Sequence, residues 1–211
     1  MPKYPMGALL LIIILFMAGC GFDTQGQPVA KYRHPRQALL VMDVQADFTG
    51  ERARMPVDPG EAEQMMGHLN ALIDKAPQKG WVVIYIRNVF SKGDRIANLF
   101  RNNAAVTGSP GVDFDPRLNV VNQNIFRKNQ PDAFSNRNFE RFLARQRINE
   151  LYITGVFADQ CVFWTAKGAL NRGYKVNYLS DCVAAKTSQD TRHAVAEIRK
   201  EGAIIRQSAS L

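Results

Sequence analysis

Residues 151–161 read Leu-Tyr-Ile-Thr-Gly-Val-Phe-Ala-Asp-Gln-Cys, and this stretch decides the fold. The apolar run 151–154 predicts a buried strand, the residues after it predict a short turn, and a helix is expected from Cys161 to about Arg172. A thiol in the first turn of a helix lies near unpaired N–H groups and the positive end of the helix dipole, which favours the thiolate. Cys161 is therefore a candidate nucleophile.

Apolar strands and amphipathic helices alternate on both sides of this stretch. Strands are expected at 38–44, 81–87, 124–128, 150–156, 175–180 and 203–206, and helices at 61–76, 136–146, 161–172 and 189–200. A long irregular stretch separates the second and third strands. The alternation predicts an α/β fold: a three-layer sandwich with a six-stranded, mostly parallel sheet.

Two ionisable residues stand at the ends of predicted strands. Asp43 follows the apolar run 38–42, and Lys128 follows the run 124–127. Ligands of open α/β sheets bind at the carboxyl ends of the strands, so both side chains are expected to meet Cys161 there. An acid, an amine and a thiol at one sheet edge indicate a catalytic site.

The beginning of the chain predicts export and a lipid anchor. Residues 7–18 are almost entirely apolar, and Met17-Ala18-Gly19-Cys20 resembles the lipobox of bacterial lipoproteins. That resemblance implies cleavage before Cys20 and acylation of Cys20. About 12 apolar residues are fewer than the roughly 17–25 of a membrane-spanning helix, which favours a cleaved signal over an anchor helix.

Three regions follow from this interpretation. Residues 1–19 are predicted to be a lipoprotein signal peptide, residues 20–36 a polar tether, and residues 37–211 a single domain. The expected location is the bacterial cell envelope, with the lipid in the membrane. Gly21 and Phe22 do not resemble an inner-membrane retention signal, which favours the outer membrane.

The charge of the chain does not indicate nucleic-acid binding. The 211 residues include 27 Lys and Arg and 19 Asp and Glu, for a net charge of +8. The basic residues are scattered, without a basic run or interleaved aromatic residues. A basic, solvated surface and a small-molecule substrate are the better interpretation.

The motifs together resemble the isochorismatase-like cysteine hydrolases, from about residue 37 to the C-terminus. The likeness rests on Ala38-Leu39-Leu40-Val41-Met42-Asp43-Val44-Gln45, on Phe126-Arg127-Lys128 followed by Asp132-Ala133-Phe134-Ser135, and on Gly155-Val156 with Cys161-Val162. It implies a hydrolase of a small amide or related C–N bond, acting through a thioester. Cys161 would be the nucleophile, Asp43 the general base and Lys128 the third member of the triad.

The resemblance also implies local features of the site. It implies a non-proline cis peptide between Val156 and Phe157, and an oxyanion hole formed by the N–H groups of Phe157 and Cys161. Phe48 and Phe134, which follow the strands of Asp43 and Lys128, are candidate pocket residues. A homo-oligomer is compatible with the resemblance.

No metal or other cofactor is expected. Nicotinamidases of this superfamily bind a divalent ion through an Asp-x-His pair and a second histidine after the second strand. Residues 87–94 of this chain contain no histidine, and the three histidines, His34, His68 and His193, are scattered along the sequence.

Three alternatives remain open on the sequence alone. An isochorismatase-type enzyme would cleave a vinyl ether, a reaction that needs no nucleophilic thiol. A non-catalytic, lipid-anchored binding module would leave Cys161 unreactive. A redox protein would pair Cys161 with Cys182 in a reversible disulfide.

Overall fold

The computed structural model describes residues 21–211. Its strands are β1 Arg36–Met42, β2 Val82–Asn88, β3 Ile125–Lys128, β4 Ile148–Val156, β5 Lys175–Ala184 and β6 Ile204–Arg206. Its α-helices are α1 Ala46–Thr49, α2 Pro59–Lys75, α3 Arg95–Phe100, α4 Arg137–Arg145, α5 Phe163–Asn171 and α6 Ser188–Lys200, and a π-helical turn at Ala158–Val162 leads into α5. The predicted signal peptide, residues 1–19, and Cys20 lie outside the described residues.

The strands form one sheet in the order β3-β2-β1-β4-β5-β6, and every neighbouring pair is parallel. The predicted six-stranded α/β sandwich is confirmed. Chain connections run outward from β1 in one direction and from β4 in the other. The crevice between the carboxyl ends of β1 and β4 is therefore the topological switch point, where ligands bind in such sheets.

The two sides of the sheet are covered by different helices. In β1, Ala38, Leu40 and Met42 pack into a cluster with residues of α4, α5 and α6. The alternate residues, Leu39 and Val41, face the opposite cluster, which contains the apolar side of α2. Because successive side chains of a strand point to opposite faces, a strand buried on both sides is apolar throughout.

Gly155 lets β1 and β4 approach closely where the site begins. It pairs with Met42 in register and has a φ of 107°, a conformation that glycine adopts easily. A Cβ atom at this position would lie 2.0 Å from the Met42 carbonyl oxygen. The chain therefore needs a glycine one residue before the end of β4.

Residues 21–35, predicted to be a tether, lie along the domain instead of extending away from it. Thr24 donates from its N–H and its hydroxyl to Asp132 Oδ2, at 2.8 and 2.7 Å. Arg172 Nη1 and Nη2 donate to the carbonyl oxygens of Thr24 and Gln25, at 2.9 and 3.0 Å. These polar contacts fix a segment that contains no strand or helix.

Among residues 21–211, no helix combines the length and the apolar character needed to cross a bilayer.

Candidate active site

Asp43 leaves the end of β1 in a left-handed conformation, with a φ of 55°. Its N–H still donates to the Ile86 carbonyl oxygen of β2, at 2.9 Å, so the residue is fixed to the sheet. The carboxylate is fully buried, and its Oδ2 lies 2.8 Å from Nζ of Lys128. Non-glycine residues with positive φ are uncommon and cluster at functional sites, because surrounding structure must hold them there.

Cys161 enters the same site from the turn after β4. The helical segment begins at Ala158, three residues before the predicted start, because its first turn is a π-turn. Cys161 is therefore the fourth residue of that turn, with Sγ 3.1 Å from Lys128 Nζ. Wide turns of this kind are frequent at functional sites. The structure thus brings Asp43, Lys128 and Cys161 together at the switch point.

Asn88 is a fourth member of the cluster, and it was missed in the sequence. Its Nδ2 lies 3.0 Å from Asp43 Oδ2 and 3.5 Å from Cys161 Sγ, and its Oδ1 accepts from Lys128 Nζ at 2.8 Å. The buried Gln45 side chain holds the Asn88 backbone through two hydrogen bonds. One feature of the sequence could have indicated Asn88. It is a polar residue at the end of β2, and β2 lies between β1, which precedes Asp43, and β3, which ends at Lys128.

The ionisable groups of the cluster perturb one another. Burial raises the pKa of the Cys161 thiol to about 11, with Lys128 opposing this rise and Asp43 adding to it. Burial also raises the pKa of Asp43, against the opposing effect of Lys128. Burial disfavours the charge of Lys128, but Asp43 and Cys161 together hold its pKa above the usual value. The resting thiol is therefore protonated at neutral pH, in contrast to the thiolate that a helix start favours.

The turn between β4 and Cys161 also carries unpaired backbone. The peptide bond between Val156 and Phe157 is cis. The Phe157 N–H donates to no acceptor among the described residues, whereas the Phe157 carbonyl accepts from Gln160 and Val162. A backbone N–H with no acceptor in the described part of the chain is therefore present four residues before the thiol.

A cavity of about 290 Å³ opens beside Cys161. Its lining among the described residues is largely apolar and amide-bearing: Phe22, Phe48, Met55, Asn88, Phe90, Arg101, Asn129, Gln130, Pro131, Phe157, Gln160 and Cys161. Phe48 lies in this lining, with its ring 5.4 Å from that of Phe157. Phe134 does not, because its side chain packs in the core against Phe139 and Tyr174.

Most of the chain matches one known protein family. The family model described as the isochorismatase domain matches residues 37–210, which is most of the chain. The chain belongs to the isochorismatase family. Its members therefore provide the comparison for the cluster at the switch point.

Two curated relatives and one solved structure show how far the likeness extends. Streptothricin hydrolase of Streptomyces noursei is 30% identical over 155 residues, which are 71% of this chain and 54% of that protein. Nicotinamidase of Escherichia coli is 27% identical over 205 residues, covering 81% of this chain and 94% of the relative. The crystal structure of Pyrococcus horikoshii pyrazinamidase in complex with zinc is 26% identical, with a TM-score of 0.72 over 82% of this chain and 99% of that one.

The donor atoms of this isochorismatase-family chain do not fit a zinc site of that kind. At the end of β2, the Asn88 side chain is engaged with Asp43 and Lys128, and the Phe90 side chain, two residues further on, offers no donor atom. Within residues 21–211, no three His, Cys, Asp or Glu side chains are grouped to hold a metal ion. The residues at this position therefore do not supply the ligand set of such a metal site.

The two cysteines of the described domain lie in different parts of the core. Cys161 packs in the cluster with α4, α5 and α6, whereas Cys182 packs in the cluster with α2, on the opposite side of the sheet. Both are free thiols. A disulfide between them would have to bridge the two faces of the sheet, so the arrangement does not favour the redox alternative.

Proposed function

We propose that this isochorismatase-family protein is a cysteine amidohydrolase that cleaves a small amide or related C–N bond through a thioester. The observation that carries the proposal is the position of Lys128, whose Nζ lies 2.8 Å from Asp43 Oδ2 and 3.1 Å from Cys161 Sγ. A buried ammonium between a carboxylate and a thiol keeps the carboxylate ionised and stabilises the thiolate when it forms. The nicotinamidase relative, named for an amide, supports the same reaction class.

The first half-reaction forms the thioester. Asp43 Oδ1 is buried and has no hydrogen-bond partner among the described residues, so it is available to accept the thiol proton. The sulfur then attacks the substrate carbonyl carbon and forms the C–S bond. As the C–N bond breaks, Asp43 returns the proton to the departing nitrogen, and ammonia or an amine leaves.

The second half-reaction releases the acid. Asp43 takes a proton from water, and the resulting hydroxide adds to the thioester carbon. The C–S bond breaks, Lys128 stabilises the departing thiolate, and the proton held by Asp43 returns to sulfur. In both half-reactions, the N–H groups of Phe157 and Cys161 are the proposed donors to the oxyanion. The Phe157 N–H, which donates to none of residues 21–211, supports this role.

The test is mass spectrometry of the protein incubated with small amides, including nicotinamide, benzamide and N-carbamoylglycine. We expect an acyl adduct on Cys161 and release of the acid, both lost in Cys161→Ser. Cys182→Ser is the matched control, since Cys182 is a buried thiol away from the cluster. Full turnover by Cys161→Ser would refute covalent catalysis, and an unmodified Cys161 without turnover across the panel would favour a binding module.

We also propose that the mature protein is held on the membrane by lipid on Cys20. The apolar run 7–18 and the sequence Met17-Ala18-Gly19-Cys20 support this. Phe22, two residues further on, lines the cavity beside Cys161. An acylated Cys20 would therefore place the cavity close to the membrane surface. Radiolabelled palmitate should enter the wild-type protein and not Cys20→Ser; equal labelling of both would refute the anchor.

A further inference from the structure

Arg101 lies in the wall of the cavity beside Cys161, where its guanidinium stacks on the ring of Phe90. It follows α3 directly, and its guanidinium carbon lies 4.0 Å from the centre of the Phe90 ring. The position of Phe90 is fixed by two backbone hydrogen bonds of 2.9 Å each: its N–H donates to the Ala105 carbonyl oxygen, and its carbonyl oxygen accepts from the Thr107 N–H. Stacking on an aromatic face leaves the edge of a guanidinium free to bind a planar anion.

The Arg101 head group forms no hydrogen bond or ion pair with any of residues 21–211. Its Nη1 is buried without a hydrogen bond to any described residue, and Arg101 forms no ion pair with a described carboxylate. Buried polar atoms are normally paired, and a buried charged donor without an acceptor is costly. Among the described residues that line this cavity, Arg101 is the one that carries a formal charge.

We propose that Arg101 binds a carboxylate of the substrate, so that the hydrolysed amide is an anionic one. The inference deepens the proposed function and rests on it, since it assigns the substrate class of the same cavity. An acid group would supply the acceptor that Nη1 does not find among the described residues, in the two-pronged geometry that a guanidinium offers to a carboxylate.

The other residues that line the cavity restrict the remaining part of the substrate. Phe48, Phe90 and Phe157 supply apolar surface, and Gln130 and Gln160 supply amide groups. The cavity, of about 290 Å³, is suited to a compact ligand. The favoured substrate is therefore an amide or ureide with a flat or apolar frame, the carboxylate on one side and the scissile carbonyl at Cys161.

The kinetic test compares an anionic amide with its neutral ester analogue. We would measure kcat/KM for 4-carbamoylbenzoate and for its neutral methyl ester. Wild type should prefer the acid, and Arg101→Gln should lower the ratio of the two kcat/KM values by about 10- to 100-fold, chiefly through KM. Arg101→Lys, which keeps the charge without the planar fork, should lower the ratio less.

The control variant is Arg95→Gln, an exposed arginine of α3 that is absent from the cavity lining. It should leave the acid-to-ester ratio at the wild-type value. Thermal melting of each variant identifies any that fail to fold. An unchanged ratio in a folded Arg101→Gln would overturn the proposal, even if both amides are hydrolysed.

A binding measurement separates this proposal from the proposed function. Calorimetry with the same two compounds on Cys161→Ser, and on Cys161→Ser with Arg101→Gln, needs no turnover. Tighter binding of the acid, lost with Arg101, would support the anion site even if wild type hydrolyses neither compound. Acid binding no tighter than ester binding, or insensitive to Arg101, would overturn it.

Discussion

The ammonium nitrogen of Lys128 lies 3.1 Å from the sulfur of Cys161, and both side chains are withdrawn from solvent. Burial raises the pKa of the thiol to about 11, and the charge of Lys128 acts against that rise. The negative charge of the Asp43 carboxylate raises the thiol pKa further. The cluster therefore holds a protonated thiol that becomes a nucleophile when Asp43 takes its proton.

Asp43→Asn should abolish amide hydrolysis and yet make Cys161 more reactive to an alkylating agent. Loss of the carboxylate removes a negative charge that raises the thiol pKa, and it leaves Lys128 free to pair with the thiolate. The measurement is the rate of iodoacetamide alkylation of Cys161 against pH. The midpoint for wild type is expected near the thiol pKa of about 11, and the midpoint for Asp43→Asn should lie lower.

Cys161→Ala identifies any labelling at other thiols and is subtracted from both curves. A midpoint for Asp43→Asn equal to or above that of wild type would contradict the arrangement. It would mean that Lys128 does not stabilise the thiolate once its carboxylate partner is removed.

Asn88→Ala should shift the same titration in the opposite direction. The Asn88 side chain donates toward Cys161 Sγ, which lowers the thiol pKa, so its removal should raise the alkylation midpoint. Turnover should fall by about 10- to 100-fold, because Lys128 and Asp43 lose a shared partner. Asn88 is a positioning residue, and the pH shift separates that role from a loss of stability.

A buried asparagine elsewhere provides the matched control. Asn177 is also fully buried, but its side chain bonds Glu150 and Arg206, away from the cluster. Asn177→Ala should therefore leave the alkylation midpoint where wild type has it. An unshifted midpoint in Asn88→Ala would show that Asn88 does not act on the thiol.

The sequence predicted the features that come from repeating patterns. The continuous apolar runs of β1 and its neighbours indicate strands buried on both faces, and their alternation with amphipathic helices indicates the α/β class. Asp43, Lys128 and Cys161 could be placed together because the carboxyl ends of parallel strands share one edge of the sheet. No knowledge of side-chain packing is needed for either inference.

Other features depend on contacts between distant residues and leave no periodic trace. Asn88 belongs to the cluster because Gln45, 43 positions earlier, holds its backbone. Phe134 follows Lys128 in sequence, but the chain turns it into the core toward Phe139. The pKa of Cys161 reflects burial, whereas the sequence supplied only its helix position.

Gly155→Ala should destabilise the fold by about 3–5 kcal/mol, since it adds a steric clash to an unfavourable φ. The new Cβ would meet the Met42 carbonyl oxygen at 2.0 Å, in a backbone that cannot move without breaking the β1–β4 pairing. Urea denaturation gives the difference in the free energy of unfolding. Gly67→Ala is the control: this helical glycine has open space around its Cβ position, so the change should stabilise by about 0.5–1 kcal/mol. Equal stability of Gly155→Ala and wild type would show that β1 and β4 can separate there.

Thr24→Val should lower the free energy of unfolding by about 1.5–3 kcal/mol, because it removes a hydroxyl that donates to a carboxylate. The acceptor, Asp132 Oδ2, is buried, and water cannot readily replace the lost donor. Gln27→Ala changes an exposed residue of the same segment and should have little effect. Urea denaturation of the two variants decides whether residues 21–35 belong to the folded unit. Identical unfolding curves would indicate that, in solution, the segment is detached from Asp132. A loss of stability confined to Thr24→Val would mean that the segment is held by the domain, and with it the cavity residue Phe22.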